Sequence, residues 1–442
     1  MRNYKVLIFG CVARLFVFYY YWYVPQNYDE LDSSYENKTP YHWTMTNLLA
    51  GPGKDTQALS QCMYIHVHAH STQDILPLSS SLFCESISCV LTFLSNYIPS
   101  HIIGTMVYIM SDYQYLVIIS FMSQFITFLL LISLEDEHVH RNKLKNEYEQ
   151  LSFASSTYWL NPATIFGMLI SPVPFLIQML LLVTLKSAIE SRKQASQFFI
   201  AMIFICITCM CSLLLAYISP QFMVLIPALL VLICRGSGEY IYDDNDFNIS
   251  TFTYAVGIYA IIVGSVHSWF NVDHIGYLHR HMYDIDTYTY SPTVALTWYL
   301  YVQTFEEYRI YFIRLMYLQP FVFIAPVVIR LYAWNLEILY ILIAIVYMYK
   351  VDTTICDILF VLCCLMLNFN QVFMYIKNLF FMLVFILVPL SLSSIMLHLW
   401  VDVGTANANY FFFQMLIMWT SYTLLVVRYA KVLARKDNQC NR

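Results

Sequence analysis

Three alternating histidines, His66, His68 and His70, have the residue type and spacing of a metal site. In an extended strand, alternate residues lie on one face, so the three imidazoles could ligate zinc together. Loop histidines are commonly just solvated, and a solvated loop is the simpler explanation of the row. We therefore predict no bound metal and no cofactor, with these histidines as the candidates if a metal is present.

An acidic stretch, Asp29-Glu30-Leu31-Asp32, follows the first apolar segment. A carboxylate on the lumenal side could act as a general base toward a sugar donor whose lipid tail stays in the bilayer. Multi-spanning lipid-linked sugar transferases place an Asp-x-Asp pair there, and the spacing here differs from it. No serine or cysteine stands in a nucleophile signature and no glycine-rich phosphate loop is present. We predict no catalytic residue.

The composition is that of an integral membrane protein. Of the 442 residues, 59% are hydrophobic and 12% are charged, and the mean hydropathy is +0.59. Apolar stretches recur along most of the chain, so we expect one membrane-embedded, all-α domain over residues 1–442. Since a crossing needs about 20 apolar residues, the stretches predict a bundle of roughly 11 or 12 transmembrane helices. The small net charge of −5, with scattered basic residues, argues against nucleic acid as a partner.

Lysine and arginine indicate the orientation. Basic residues precede the first span and follow the last, so both termini should be cytoplasmic, with residues 431–442 as a cytoplasmic tail. Loop 25–79 then becomes lumenal. It carries a glycosylation sequon at Asn37, and a second sequon lies at Asn248. Both are candidate glycosylation sites.

The segment between the basic clusters at 135–150 and 186–194 contains a break. If both clusters are cytoplasmic, residues 156–185 cannot form one straight crossing. Pro172 and Pro174 remove two backbone donors and favour a turn there. Irregular backbone inside a membrane must be enclosed by protein or line a cavity. The sequence therefore predicts a cavity at membrane depth.

The stretch from Ser291 to Leu331 combines aromatic and charged residues. Read as a helix, it places Trp298, Phe305 and Tyr308 near one face and allows Glu306 to pair with Arg309, three residues on. Ionisable residues beside an apolar span are costly unless they are paired or serve a site. Two interpretations remain: an interfacial helix with a satisfied ion pair, or a segment that binds a polar lipid headgroup.

Three blocks of the chain resemble the PIG-U family, the multi-spanning subunit of the GPI transamidase. They are Asn161-Pro162-Ala163-Thr164-Ile165, the block Ser291–Arg309 with Trp298-Tyr299, and His398-Leu399-Trp400 followed by Gly404-Thr405-Ala406-Asn407-Ala408-Asn409-Tyr410-Phe411. The blocks occur in the family's order. The chain departs from the family pattern at Thr293, Ala295, Gln303 and Glu307.

The resemblance implies a function. A family member would be a noncatalytic subunit in the endoplasmic reticulum membrane that binds and presents the GPI lipid. A caspase-like cysteine subunit would perform the chemistry, and further membrane and lumenal subunits would be partners. The fold would be similar to that of lipid-linked mannosyltransferases. By this resemblance and by residue type, the candidate GPI-binding residues are Asn161, Trp298, Tyr299, Phe305, Glu306, Arg309, Asn407 and Asn409.

One segment, and the chain as a whole, each allow more than one interpretation. Gly404 to Asn409 is either a tight connection that a headgroup can approach or a polar turn whose amides cap the next helix. For the chain as a whole, the alternatives are a mannosyltransferase of GPI biosynthesis that uses a lipid-phosphate sugar with Asp29 or Asp32 as base, and a transporter, which only the broken helix favours.

Overall fold

The computed structural model describes residues 2–23, 113–141, 153–169, 172–194, 197–234, 249–270, 292–331, 334–369, 372–401 and 403–440. Every regular element in these ranges is helical. The α-helices are α1 (Arg2–Tyr23), α2 (Tyr113–Arg141), α3 (Phe153–Leu160), α4 (Pro162–Gly167), α5 (Val173–Lys193), α6 (Phe198–Ile218), α7 (Leu225–Cys234), α8 (Ile249–Phe270), α9 (Thr297–Gln303), α10 (Glu306–Val322), α11 (Ile324–Arg330), α12 (Asn335–Tyr349), α13 (Ile355–Met366), α14 (Leu379–Val401) and α15 (Ala408–Cys440). Short 3₁₀ helices occupy Pro220–Val224 and Phe373–Tyr375.

Six helical stretches in the described part are long and apolar enough to cross a membrane; they lie in α2, α5, α6, α10 with α11, α14 and α15. The predicted class, an all-α multi-pass membrane protein, is confirmed. The helices α12 and α13 have only 15 and 12 residues, but nearly all of their side chains are buried. A helix enclosed by other helices does not have to match the bilayer thickness, so both can be shorter than a lipid-facing span. The number of crossings stays a prediction.

The helices α2 and α5 run in the same direction. Glu137, near the end of α2, accepts a hydrogen bond from Lys186 at 2.8 Å and another from Lys193, both near the end of α5. The chain between them must therefore pass back along the bundle. The helices α3 and α4 make that return pass, and α5 begins at Val173, directly after Pro172. The predicted break in segment 156–185 is confirmed.

A side chain of the neighbouring helix α2 caps the start of the return pass. Glu135 of α2 accepts hydrogen bonds from the backbone N–H groups of Ala154 and Ser155, at 2.8 and 3.2 Å, and from the Ser155 hydroxyl at 2.7 Å. The first N–H groups of a helix have no partner within that helix, and a carboxylate there also suits the positive end of the helix dipole. Glu135 therefore fixes where α3 starts relative to α2.

Pro162 kinks the return pass between α3 and α4. A proline has no N–H, so it cannot donate to the carbonyl of Tyr158, four residues earlier. The hydroxyl of Thr164 donates to that carbonyl instead, at 3.0 Å. The carbonyl of Thr164 in turn accepts from the Gln124 side chain of α2 at 2.8 Å. The backbone groups at the kink thus obtain partners from side chains.

Arg14 of α1 satisfies the next carbonyl at the kink. Trp159 O loses its helical partner because Ala163 N donates to Asn161 Oδ1, at 2.9 Å. Arg14 Nη1 donates to Trp159 O at 2.8 Å, and Arg14 Nε donates to Gln124 Oε1 at 2.9 Å. The guanidinium also lies 3.7 Å from the centroid of the Trp159 ring. One arginine, only 1% exposed, therefore joins α1, α2 and α3.

The helix α1 approaches this cluster through Gly10. A Cβ atom at Gly10 would lie 2.0 Å from Trp159 Nε1, far inside van der Waals contact. The Trp159 ring cannot easily move aside, because it is stacked 4.9 Å from Phe128 and covered by Arg14. Only glycine therefore permits this packing of α1.

Buried polar side chains join the return pass to the interior helices α5 and α13. Tyr158 donates its hydroxyl to Gln178 Oε1 at 3.0 Å, and Gln178 Nε2 donates to Asp357 Oδ1 at 3.2 Å. Asp357 also forms a capping box with Thr354, in which each side chain accepts from the other residue's backbone N–H. The start of α13 is thereby held against α3 and α5.

The helices α14 and α15 form an antiparallel hairpin that packs on α12. Tyr422 of α15 donates to the carbonyl of Ala344 in α12 at 2.9 Å. Trp419 donates to the carbonyl of Val294, just before α9, at 2.8 Å. The predicted tail at residues 431–442 continues α15 as helix through Cys440. The predicted lumenal loop 25–79 lies outside the described residues.

We expect Gly10→Ala to lower the free energy of unfolding by roughly 1–3 kcal/mol, as overpacking does, because the new methyl group collides with Trp159. Gly264→Ala is the matched control, since no atom lies within 4 Å of a Cβ there and alanine favours a helix interior by roughly 0.5–1 kcal/mol. Thermal unfolding of the purified protein in detergent measures both. Equal melting temperatures for the two variants would contradict the close approach of α1.

Candidate functional site

Aromatic side chains from three helices meet where α9 packs against the α14–α15 hairpin. Trp298 is stacked on Trp400, with ring centroids 6.1 Å apart and an interplanar angle of 22°, and lies 5.8 Å from Phe411. The Tyr299 ring stacks on Phe412 at 4.0 Å. We call this cluster of five rings the aromatic junction. Such pairs add packing energy of about 0.5–1.5 kcal/mol each beyond the area they bury.

The turn between α14 and α15 places the rings of both helices on one side. Gly404 has a φ of 70°, in the left-handed region that favours glycine. The backbone N–H groups of Thr405 and Ala406 both donate to Leu399 O, at 3.0 and 3.2 Å, and so satisfy the end of α14. The interpretation of Gly404 to Asn409 as a tight connection between two spans is confirmed.

The two asparagines of the turn have different contacts. Asn407 Oδ1 accepts from Asn409 N at 3.1 Å, directly before α15, so the capping role is also confirmed for this residue. Asn409 Oδ1 accepts a hydrogen bond from the Tyr299 hydroxyl. The turn is thus joined to α9. Both asparagines are exposed, and a contact with a headgroup stays a prediction.

Three buried polar atoms of α9 have no hydrogen-bond partner in the described part of the chain: Thr297 Oγ1, Trp298 Nε1 and Tyr301 OH. Their side chains are at most 2% exposed. Tyr301 is four residues from Thr297 and three from Trp298, so the three groups are neighbours on one helix surface.

An unpartnered buried donor or acceptor costs roughly 1–3 kcal/mol, so three of them on two turns of helix require an explanation. Buried polar atoms normally have a partner, and an exception in a folded protein often marks a site where water or a ligand completes the bonding. The aromatic junction therefore places flat apolar faces beside buried polar groups that lack a partner in the described part of the chain. Its described residues include no nucleophile next to a base.

The predicted single helix over Ser291–Leu331 is wrong, because the helix breaks at Thr304 and Phe305. Arg309 stabilises the break by donating from Nε to Tyr301 O at 2.9 Å and from Nη2 to Thr304 O at 3.3 Å. A cation bonded to the last carbonyls of α9 also suits the negative end of its dipole. Arg309 therefore does not form the predicted ion pair with Glu306.

The break also separates the aromatic side chains that were predicted to share a face. Trp298 is 1% exposed, whereas Phe305 is 79% exposed and Tyr308 is 57% exposed. Phe305 and Glu306 lie at the break, on the surface. The residues that the structure brings together in the aromatic junction or at its edge are Trp298, Tyr299, Arg309, Asn407 and Asn409.

Asn161 has a different role. Its Oδ1 caps α4 through Ala163 N, and its backbone carbonyl accepts from Ile165 N at 3.1 Å. No hydrogen bond or ring contact within the described ranges joins Asn161 to the aromatic junction. Sequence reasoning missed several residues in the junction or beside it on α9, although four of them stand in the quoted blocks beside predicted ones; they are Thr297, Tyr301, Trp400, Phe411 and Phe412.

Several other predicted sites lie outside the described residues. They are the histidine row at 66–70, Asp29 and Asp32, and the sequons at Asn37 and Asn248. Within the described ranges, no group of three or more His, Cys, Asp or Glu side chains is placed to hold a metal ion. The aromatic junction is therefore the candidate site that the described part supports.

A comparison with protein families gives a match over most of the chain. The model of the family described as GPI transamidase subunit PIG-U matches residues 61–419. This range includes α3, α4, α9, α14 and the turn after α14, and ends at Trp419 in α15.

Similar curated proteins carry related names. The GPI transamidase component GAB1 homolog of Schizosaccharomyces pombe is 30% identical over 157 residues, which cover 36% of this chain and 38% of that protein. The GPI-anchor transamidase component PIGU of Mus musculus is 25% identical over 147 residues, or 33% of this chain and 34% of that protein. The human protein of the same name is 24% identical over 147 residues, with the same coverage. The aligned part thus spans about a third of the length of these relatives.

The hydrogen bond between Tyr299 and Asn409 should couple α9 to the hairpin. We expect Tyr299→Phe and Asn409→Ala to be non-additive in a double-mutant cycle, with a coupling of roughly 0.5–1.5 kcal/mol in the free energy of unfolding. Tyr299→Phe combined with Asn407→Ala is the matched control, because the described hydrogen bonds of Asn407 lie within its own turn. Equal coupling in both cycles, measured by thermal unfolding, would show that the contact contributes nothing.

Proposed function

The chain belongs to the family of the GPI transamidase subunit PIG-U, and we propose that it is a noncatalytic subunit of this transamidase in the endoplasmic reticulum membrane. In this proposal it binds the GPI lipid and presents it to a catalytic cysteine in another chain. The two termini lie in the cytoplasm and loop 25–79 lies in the lumen, where Asn37 is accessible for glycosylation. The other subunits of the transamidase are its partners.

The observation that carries the lipid-binding proposal is the set of unpartnered polar atoms on Thr297, Trp298 and Tyr301. A GPI has acyl chains, which belong in the bilayer, and a glycan whose hydroxyl groups both donate and accept hydrogen bonds. Its binding site therefore needs apolar surface next to a few placed polar groups. The aromatic junction offers both within one short helix and the adjoining hairpin.

The chemistry of these side chains supports binding and not catalysis. The junction supplies aromatic rings, one hydroxyl from Thr297, one from Tyr301, an indole N–H and the amide of Asn409. None of these groups is a base near neutral pH, and a reaction at a carbonyl carbon needs a nucleophile activated by one. We therefore propose that the junction holds and orients the lipid while another subunit reacts with it.

Removing the unpartnered hydroxyls tests the proposal because stability and binding should change in opposite directions. In the Thr297→Val, Tyr301→Phe double variant, the melting temperature should stay or rise, since no bond within the described part of the fold is lost. Retention of GPI by the purified complex should fall roughly 2- to 10-fold per lost hydrogen bond. In cells, complete GPI lipids and uncleaved proproteins should accumulate.

Tyr422→Phe is the matched control, because its hydroxyl donates to Ala344 O and its loss should lower stability without a selective loss of GPI. Normal GPI retention and anchoring in the double variant would disprove the lipid site. If the chain did not copurify with the other transamidase subunits, the subunit proposal would be wrong. GPI precursors lacking a mannose after Asp29→Ala and Asp32→Ala would indicate a transferase instead.

A further inference from the structure

Five cationic side chains lie together where α14 begins and α15 nears its end. Arg428 of α15 donates from Nη1 to the carbonyl of Lys377, just before α14, at 2.6 Å. About two turns farther along α15, the ammonium of Lys436 lies 4.8 Å from the centroid of the Tyr375 ring. The segment before α14 is thus held against α15. We call this cluster the basic edge; its members are Lys377, Arg428, Lys431, Arg435 and Lys436.

Three members of the basic edge lack a partner in the described part of the chain. The side chains of Lys377, Lys431 and Arg435 are exposed, and they form no ion pair or hydrogen bond there. The lysines near the end of α5, by contrast, are paired with Glu137. Unpaired cations on one short surface repel each other, so the basic edge favours an anionic molecule.

On α15 the basic edge begins where the lipid-facing surface ends. Among the exposed residues from Phe413 to Val427, only Thr420 is polar, and its hydroxyl bonds to a carbonyl of its own helix. Lys431 and Arg435 continue the same face, because each follows the previous exposed residue by four positions. The stretch from Phe413 to Val427 rises about 21 Å, which is most of the hydrocarbon thickness of a bilayer. The cations therefore lie at the level of lipid headgroups.

The same boundary is present on α14. Phe380 and Phe381, in its first turn, are 72% and 62% exposed, and the helix has no polar residue before Ser391. Tyr375, two residues before Lys377, is 66% exposed. Exposed aromatic rings are typical of the interface between the hydrocarbon and the headgroups. Both helices therefore place the cations at the edge of the apolar region.

The headgroup of an anionic phospholipid fits this surface. Its phosphate accepts charge-assisted hydrogen bonds from lysine and arginine, and its acyl chains can lie along the adjoining apolar faces. Groups of about four to eight basic residues directly cytoplasmic to a span attract anionic lipids. A zwitterionic headgroup carries its own ammonium group beside the phosphate, which weakens its attraction to cations. Charge and depth together therefore favour an anionic lipid.

We propose that the basic edge binds the headgroup of an anionic phospholipid in the cytoplasmic leaflet, with Lys431 and Arg435 at its phosphate. The acyl chains lie along the exposed faces of α14 and α15. This lipid is distinct from the GPI of the proposed function, which is presented on the lumenal side. The inference uses the predicted orientation of the termini and does not need GPI binding at the aromatic junction. Carboxylates of another subunit, or of undescribed residues of this chain, are the competing occupants.

Native mass spectrometry of the purified full-length chain tests lipid binding. With equal amounts of phosphatidylinositol and phosphatidylcholine of matched acyl chains added in detergent, we expect phosphatidylinositol to be retained preferentially. Lys431→Gln with Arg435→Gln should lower the retained phosphatidylinositol roughly 5-fold per cation removed, with an unchanged melting temperature. Lys431→Arg with Arg435→Lys keeps both charges and should retain the lipid. Equal retention of the two lipids, or an unchanged ratio in the double glutamine variant, would overturn the proposal.

Lys5→Gln is the matched control for position, because Lys5, near the start of α1, is an exposed cation outside the basic edge. It should leave the lipid ratio unchanged. A loss equal to that of Lys431→Gln would mean that only the net charge of the protein attracts the lipid, and displacement of the lipid by equimolar inorganic phosphate would mean a general anion site. In native membranes, carbodiimide crosslinks from Lys377 or Lys431 to a carboxylate of this chain or of another subunit would identify a protein occupant. Each of these three results would overturn the proposal.

Discussion

Backbone carbonyls inside an apolar bundle must find hydrogen-bond partners, and this constraint is most demanding at the kink between α3 and α4. Pro162 frees the carbonyl of Tyr158 and the local cap by Asn161 frees that of Trp159. A lysine could not replace Arg14 here, because the bonds to Gln124 and to Trp159 O leave from different nitrogens of one planar group. The guanidinium is fully enclosed among neutral acceptors and an aromatic ring, which offsets much of the cost of burying its charge.

The return pass fixed by this kink determines the arrangement of the rest of the bundle. It allows α2 and α5 to run in the same direction. It also places the Tyr158 hydroxyl where it donates to Gln178, and the Gln178 amide in turn donates to Asp357. The α12–α13 pair is held on that side by these bonds and contacts α15 on the other, where Tyr422 donates to Ala344 O. The hairpin that carries Trp400, Phe411 and Phe412 therefore packs on a short pair of helices whose described side chains are nearly all buried.

The proposed GPI site depends on polar groups that the described part of the chain leaves without partners. These groups belong to three residues of α9 and lie beside stacked rings. An unsatisfied hydroxyl or indole N–H is costly inside a protein, so a second molecule that bonded to these groups would stabilise the fold. This is the physical basis on which we propose the site for a glycolipid.

The features that depend on local chemistry could be predicted from the sequence. Hydropathy predicted the membrane class, and Pro172 and Pro174 predicted the break before α5. Gly404 predicted the turn, and the three motif blocks indicated the family. The contacts between distant residues could not be predicted, because they form only when the helices pack together. Trp298 and Trp400 stack although about a hundred residues separate them, and Arg309 binds the carbonyls of α9 instead of Glu306. Such contacts depend on how whole helices pack. The hydrogen bonds of Tyr301 or Asn161 can be assigned only when every neighbour in space is known, and periodicity along the chain does not contain that information.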